Sequence, residues 1–117
     1  MATKTDYEAV EPTRDAVDQF PGASLVEFGS PWCGHCSAAQ PLIEKALHDH
    51  PEVRHIRIED GSGRRLGRSF KVKLWPTLVF MNAGKEIGRL VRPRDEKPIR
   101  EALGQIDPLA GAAAQSA

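Results

Sequence analysis

Apolar positions along this chain fall into short runs whose period switches between two and three-to-four. Residues 7–10 read as a short edge strand. Pro12-Thr13 then opens a weak helical stretch reaching Gln19, with Thr13 as N-cap because its hydroxyl can accept a free N–H of the first turn. Pro21-Gly22 stops it. Leu25-Val26-Glu27-Phe28 is a short, mostly apolar run of the kind that fills a central strand. Gly29-Ser30-Pro31 turns the chain toward a helix beginning near Cys33, on which Ala39, Leu42, Ile43, Ala46 and Leu47 share one face. Pro41 lies inside that helix and predicts a kink, since its ring removes one bond of the ladder.

His50-Pro51 closes the helix, and residues 53–59 form a strand with Ile56 and Ile58 on one face and His55 and Arg57 on the other. Gly61-Ser62-Gly63 leads into a short helix over residues 64–70. Residues 77–81 read as a buried strand, Asn82-Ala83-Gly84 as a turn, and 86–91 as the returning strand. Pro98, Ile99, Ala102, Leu103 and Ile106 define a last helix, with Pro98 tolerated in its first turn. Strands first alternate with helices and then pair as a hairpin covered by a helix. That order predicts an α/β protein with a single mixed sheet of four to five strands and helices on both faces. Residues 1–106 make one domain with 1–6 loose, and 107–117 a flexible Ala-rich tail lacking large apolar side chains at its end.

A length of 117 residues supports one core, not two. No run of about 18 apolar residues exists, so no membrane span is expected. Residues 1–10 are polar and acidic, which predicts neither a signal nor a transit peptide and places the chain in the cytoplasm. Structural disulfides do not persist there, and the two cysteines sit only three positions apart. The net charge is zero but uneven: residues 1–60 carry five basic and eleven acidic side chains, residues 61–117 eleven and five. Such asymmetry can mark a face for acidic partners, although basic side chains at a surface are first of all solvated. Neither a nucleic acid nor a membrane is expected as partner, and neither a metal nor a cofactor.

The chemistry concentrates in Cys33-Gly34-His35-Cys36, where a strand gives way to a helix. A helix start offers free N–H groups and the positive end of the macrodipole, so the thiolate of Cys33 should be stabilised and its pKa lowered. His35, when protonated, pushes the same way. Cys36 stands one turn on and gains less. This asymmetry makes Cys33 the sulfur that attacks a substrate disulfide and Cys36 the one that resolves the mixed disulfide. Inert core cysteines are the plainer alternative, but the adjacent Trp, Gly and His do not make a purely apolar site. A zinc site from Cys33, Cys36, His48 and His50 fails on spacing, because the histidines fall roughly 18 Å away along the same helix.

Four features in order resemble the thioredoxin family over about residues 20–106: Trp32-Cys33-Gly34-His35-Cys36, Pro41, Trp75-Pro76-Thr77 opening a strand, and the acid Glu27 within its apolar run. The Gly-His pair is the one typical of protein disulfide isomerase domains. The resemblance implies a thioredoxin fold, and a thiol–disulfide oxidoreductase acting on disulfide-containing proteins. It makes Cys33, Cys36 and Glu27 catalytic, with Trp32, Gly34 and His35 modulating the pair. It also implies that Pro76 is cis beside the active site, and that Trp75 presents backbone groups to an extended substrate. Glu27 is the only charged residue of its run. Read as an isolated carboxylate it should have a raised pKa, and the resemblance implies that it relays a proton through water to or from Cys36. His55 stands about where many thioredoxins have a lysine near this acid, though a lone strand histidine reads first as structural.

Departures from that pattern bear on substrates. Gly29 replaces a common aromatic, Trp75 a smaller aliphatic residue, and Arg92-Pro93 a Gly-containing segment bordering the substrate groove. With Lys71, Lys73 and Arg94 nearby, Arg92 suggests a basic groove that prefers disulfides in acidic surroundings. Gly61-Ser62-Gly63-Arg64-Arg65-Leu66-Gly67 imitates a nucleotide-binding loop, but its last gap is one residue too long and no second mononucleotide half follows. Electrons must then come from a flavoprotein reductase or low-molecular-weight thiols. A non-catalytic thioredoxin-fold module that holds a partner protein is the alternative function.

Overall fold

The computed structural model describes residues 6–107. Of the expected loose start and Ala-rich tail, residues 1–5 and 108–117 lie outside the described residues. Asp107, assigned above to the tail, is instead 3 % exposed, with its carboxylate 2.6 Å from Nδ1 of buried His50. A buried acid with a buried partner is a core contact, not the start of a tail.

Thr13 caps the first helix, α1 (Arg14–Asp18), by accepting the Ala16 N–H at 3.1 Å. The central strand β1 (Ala23–Gly29) is buried at every position, because it is paired on both edges and covered on both faces. The remaining elements are α2 (Gly34–His48), β2 (Arg54–Glu59), α3 (Arg65–Ser69), β3 (Thr77–Asn82), β4 (Lys85–Val91) and α4 (Glu96–Ile106). The sheet runs in the order β2-β1-β3-β4, with β1 and β2 parallel and the other pairs antiparallel. Ala83 (φ 51°) and Gly84 (φ 81°) form the two-residue hairpin turn, both left-handed as a twisted hairpin requires. A Cβ on Gly84 would run into the backbone of Asp18.

Among the described residues the sheet has four strands, and residues 7–10 do not add a fifth. Glu8 N–H does donate to the Arg57 carbonyl at 2.8 Å. Val10, however, is 82 % exposed, and Pro12 has no N–H to continue a ladder. The segment lies along β2 without pairing as a strand.

Alternation in β1 sorts two apolar layers. Ala23 and Leu25 join Leu78 and Phe80 beneath α2 and α4, meeting Ile43, Leu47, Ile99 and Leu103. Val26 and Phe28 join Val79 and Met81 on the other face, against Val17 of α1 and Leu66 of α3. Phe28 also stacks at 5.5 Å on Phe70, which follows α3. Each such fully buried side chain contributes about 1.5–3 kcal/mol. The same alternation turns Glu27 toward α2. Pro41 lies within α2 on its exposed side, as does Ser37, so the missing ladder bond falls toward solvent. Among the described residues no helix is long and apolar enough to cross a membrane.

Candidate active site

β1 delivers the chain to the site and α2 starts it. After Gly29 the Ser30 side chain accepts the Trp32 N–H at 3.1 Å, and its carbonyl takes the Cys33 N–H at 3.2 Å. This turn sets Cys33 as the N-cap of α2, where its sulfur accepts the Cys36 N–H at 3.1 Å. A sulfur in that place faces the positive end of the helix. Cys33 is half-buried and Cys36 buried at 1 % exposure; both are free thiols. Burial, then the hydrogen bond with Cys33, push the Cys36 thiol up to about 12, with the charge of Glu27 adding to the rise. One sulfur is thus presented and the other withheld.

Across from Cys33 stands the cis Trp75–Pro76 peptide. Cys33 Sγ lies 3.9 Å from the Trp75 carbonyl oxygen, which also accepts Arg92 Nε–H at 2.8 Å. The Arg92 N–H in turn donates to the Pro76 carbonyl at 2.9 Å, with Arg92 itself at φ 50°. The Trp75 indole is not loose: its N–H donates to Asp60 at 2.9 Å. Trp32 is 89 % exposed, and Gly34 and His35 are exposed in the first turn of α2. A Cβ on Gly34 would meet nothing within 4 Å.

Two expectations need correction. Glu27 is not an isolated carboxylate. It is wholly buried but takes Gln40 Nε2 at 2.5 Å, Arg57 Nε at 3.2 Å and His55 Nε2 at 2.8 Å. Lys71 and Lys73, in turn, do not line the groove beside Arg92. Arg92, Pro93 and Arg94 border a 310 Å³ cavity with His35, whereas Lys71 and Lys73 line a separate 510 Å³ cleft with Arg64 and Arg68.

Arg57, Gln40 and Tyr7 were not foreseen as site residues. Arg57 pairs in register with Glu27, and Gln40 lies one turn beyond Cys36 on the same helix face. The four-residue spacing of Gln40 from Cys36 was visible in the sequence; the register that sets Arg57 opposite Glu27 was not. Tyr7 reaches the site from outside the sheet, with Ser30, Cys36, Gln40 and Arg57 lining a 320 Å³ cavity beside it. The Gly61–Gly67 imitation of a nucleotide loop has a packing cause at its last position, where a Cβ on Gly67 would collide with the Asp60 carboxylate.

A helix-capping cysteine, a shielded second cysteine and a facing cis proline on a four-stranded mixed sheet define a dithiol–disulfide exchange site. The thioredoxin family model matches residues 8–105. The structure superposes on reduced thioredoxin 2 from Pseudomonas aeruginosa PAO1 with a TM-score of 0.80 and 53 % identity, over 94 % of this chain and 99 % of that one. A thioredoxin of Chlamydia trachomatis is 31 % identical over 72 % of this chain and 82 % of its own length. A protein disulfide-isomerase of Hordeum vulgare is 38 % identical over 76 % of this chain, which spans only 18 % of that longer protein. The chain belongs to the thioredoxin family. With Cys33 and Cys36 in place, the matched stretch is a thiol–disulfide oxidoreductase unit.

Proposed function

We propose that this protein exchanges disulfides with protein substrates, Cys33 attacking and Cys36 resolving. The observation that carries the reading is the placement of Cys33 Sγ at the N-cap of α2 and 3.9 Å from the Trp75 carbonyl oxygen. In the reducing direction the Cys33 thiolate attacks one sulfur of a substrate disulfide. A mixed disulfide forms, and the other substrate sulfur leaves as a thiolate that takes a proton. Cys36, once deprotonated, attacks Cys33 Sγ; the Cys33–Cys36 bond forms and the second substrate thiol is released. Glu27 exchanges that proton with Cys36 through water, the rise it causes in the Cys36 thiol being consistent with proximity. Trp32, Gly34 and His35 modulate the pair, and Trp75, Pro76 and Arg92 border the substrate.

Returning the pair to the dithiol requires a flavoprotein reductase or low-molecular-weight thiols, which suits a reducing compartment such as the cytoplasm. His35 argues for a potential between roughly −270 and −180 mV, the range from thioredoxin to disulfide isomerase. We read the described residues, 6–107, as one domain, supported by a single sheet that both apolar layers share and by the burial of Asp107. Insulin reduction by dithiothreitol tests the activity. The wild-type protein should accelerate it and Cys33→Ser should not; equal rates would favour a module that only holds a partner.

A further inference from the structure

Gly29 is bare for a reason that concerns two other residues. A Cβ at position 29 would lie 2.6 Å from Cys36 Sγ and 3.0 Å from the Tyr7 hydroxyl. Both atoms therefore crowd the same point, and the space left by the missing side chain is filled by a phenol from another segment. The hydroxyl is shielded from solvent, and the Arg57 guanidinium lies 4.2 Å over the ring and interacts with the phenol oxygen. Tyr7, Cys36, Gln40 and Arg57 share one cavity, with Asp6 at its edge.

We propose that Tyr7 is a hydrogen-bond donor to the resolving thiol: its O–H holds the Cys36 sulfur while that sulfur becomes the thiolate attacking the mixed disulfide. This rests on the division of labour between Cys33 and Cys36 given above. A thiolate buried at this depth needs a donor, and few neighbours can supply one. Glu27 is an acceptor when ionised, and the Arg57 guanidinium is drawn to it, its Nε–H donating at 3.2 Å. The backbone of Ser30 offers one bond. The Tyr7 hydroxyl is a side-chain donor beside the sulfur, both atoms lying within 3.0 Å of the point a Cβ of residue 29 would take. Desolvation holds its own pKa up to about 12, so it keeps its proton throughout the working range and serves as donor without being consumed. The Cys36 proton leaves by water, the new Cys33–Cys36 bond forms, and the electron pair of the broken bond departs on the substrate sulfur.

Stopped-flow reaction of the reduced protein with dithiobis(nitrobenzoate) separates the two steps, since one thionitrobenzoate leaves on Cys33 attack and a second on resolution. Cys36→Ser should show the first release alone; two releases would defeat the underlying division of labour. With that control in order, Tyr7→Phe should leave the first phase unchanged and slow the second about tenfold or more, as expected for a lost bond to an ionised group. A second phase at the wild-type rate, or equal slowing of both phases, would overturn the role of Tyr7 alone. Tyr7 is the only tyrosine of the chain, so biosynthetic 3-fluorotyrosine replaces it without touching the packing. That stronger donor should resolve at least as fast as wild type, and a slower second phase would overturn the proposal even if Tyr7→Phe failed to fold.

Discussion

Replacing Cys36 by alanine should flatten the alkaline limb of the stability profile. Burial holds this thiol at about 12, against an ordinary 9.0. The fold keeps the neutral form, whereas the unfolded chain gives up the proton near 9. Stability from this group is therefore whole below pH 9 and is lost as pH rises toward 12, because in that window ionisation draws the chain toward the unfolded state. One pH unit there corresponds to about 1.36 kcal/mol. At about pH 10.5 the reduced wild type should have lost about 2 kcal/mol relative to neutral pH. That corresponds to roughly 10 °C in Tm for a domain of this size. Urea melts in a phosphine reductant, at neutral pH and at about pH 10.5, measure it for both proteins. Cys36→Ala starts lower, since a small cavity replaces the sulfur, but the gap should narrow by about 2 kcal/mol. Lysine titrations are common to both proteins and cancel in the difference. Parallel alkaline slopes would refute the reasoning.

Glu27→Gln should destabilise by about 3–5 kcal/mol in urea melts, because it removes one charge of the buried Glu27–Arg57 pair. It should also slow resolution more than attack; a stability change under about 1 kcal/mol would show that the cluster is not a tight pair. Gly29→Ala should cost about 1–3 kcal/mol, since its methyl would stand 2.6 Å from Cys36 Sγ. An unchanged thermal midpoint would contradict that crowding. Arg92→Glu should lower reduction of acidic disulfide peptides several-fold relative to basic ones, and unchanged rates for both would remove Arg92 from substrate choice.

The two layers were legible because apolar positions switch period where the elements change: Ile56 and Ile58 do lie on one face of β2, opposite His55 and Arg57. Thr13 as a cap and Cys33 at a helix start were equally local features, set by residues three positions apart. What stayed hidden depends on distant partners. Glu27 read as a lone charge within its own run, although strand pairing brings Arg57 opposite it and α2 lays Gln40 over it. Tyr7 could not be placed either, because residues 7–10 have the composition of a strand but lack a face to bury. Arg92 was assigned to a basic groove from its charge, yet its Nε is held by the Trp75 carbonyl through a left-handed backbone that no local pattern announced.

The docking of Tyr7 and Glu8 against β2 also bears on self-association. β2 is an edge strand, and such an edge offers unpaired N–H and carbonyl groups to any neighbouring chain. Glu8 occupies one of them, at the Arg57 carbonyl, while the Arg57 side chain clasps the ring of Tyr7. Trimming the chain to residue 10 would thus do two things at once: uncover an adhesive edge and open the space beside Cys36. Affinity tags and fusion joints on this protein are for that reason better placed away from residues 6–9.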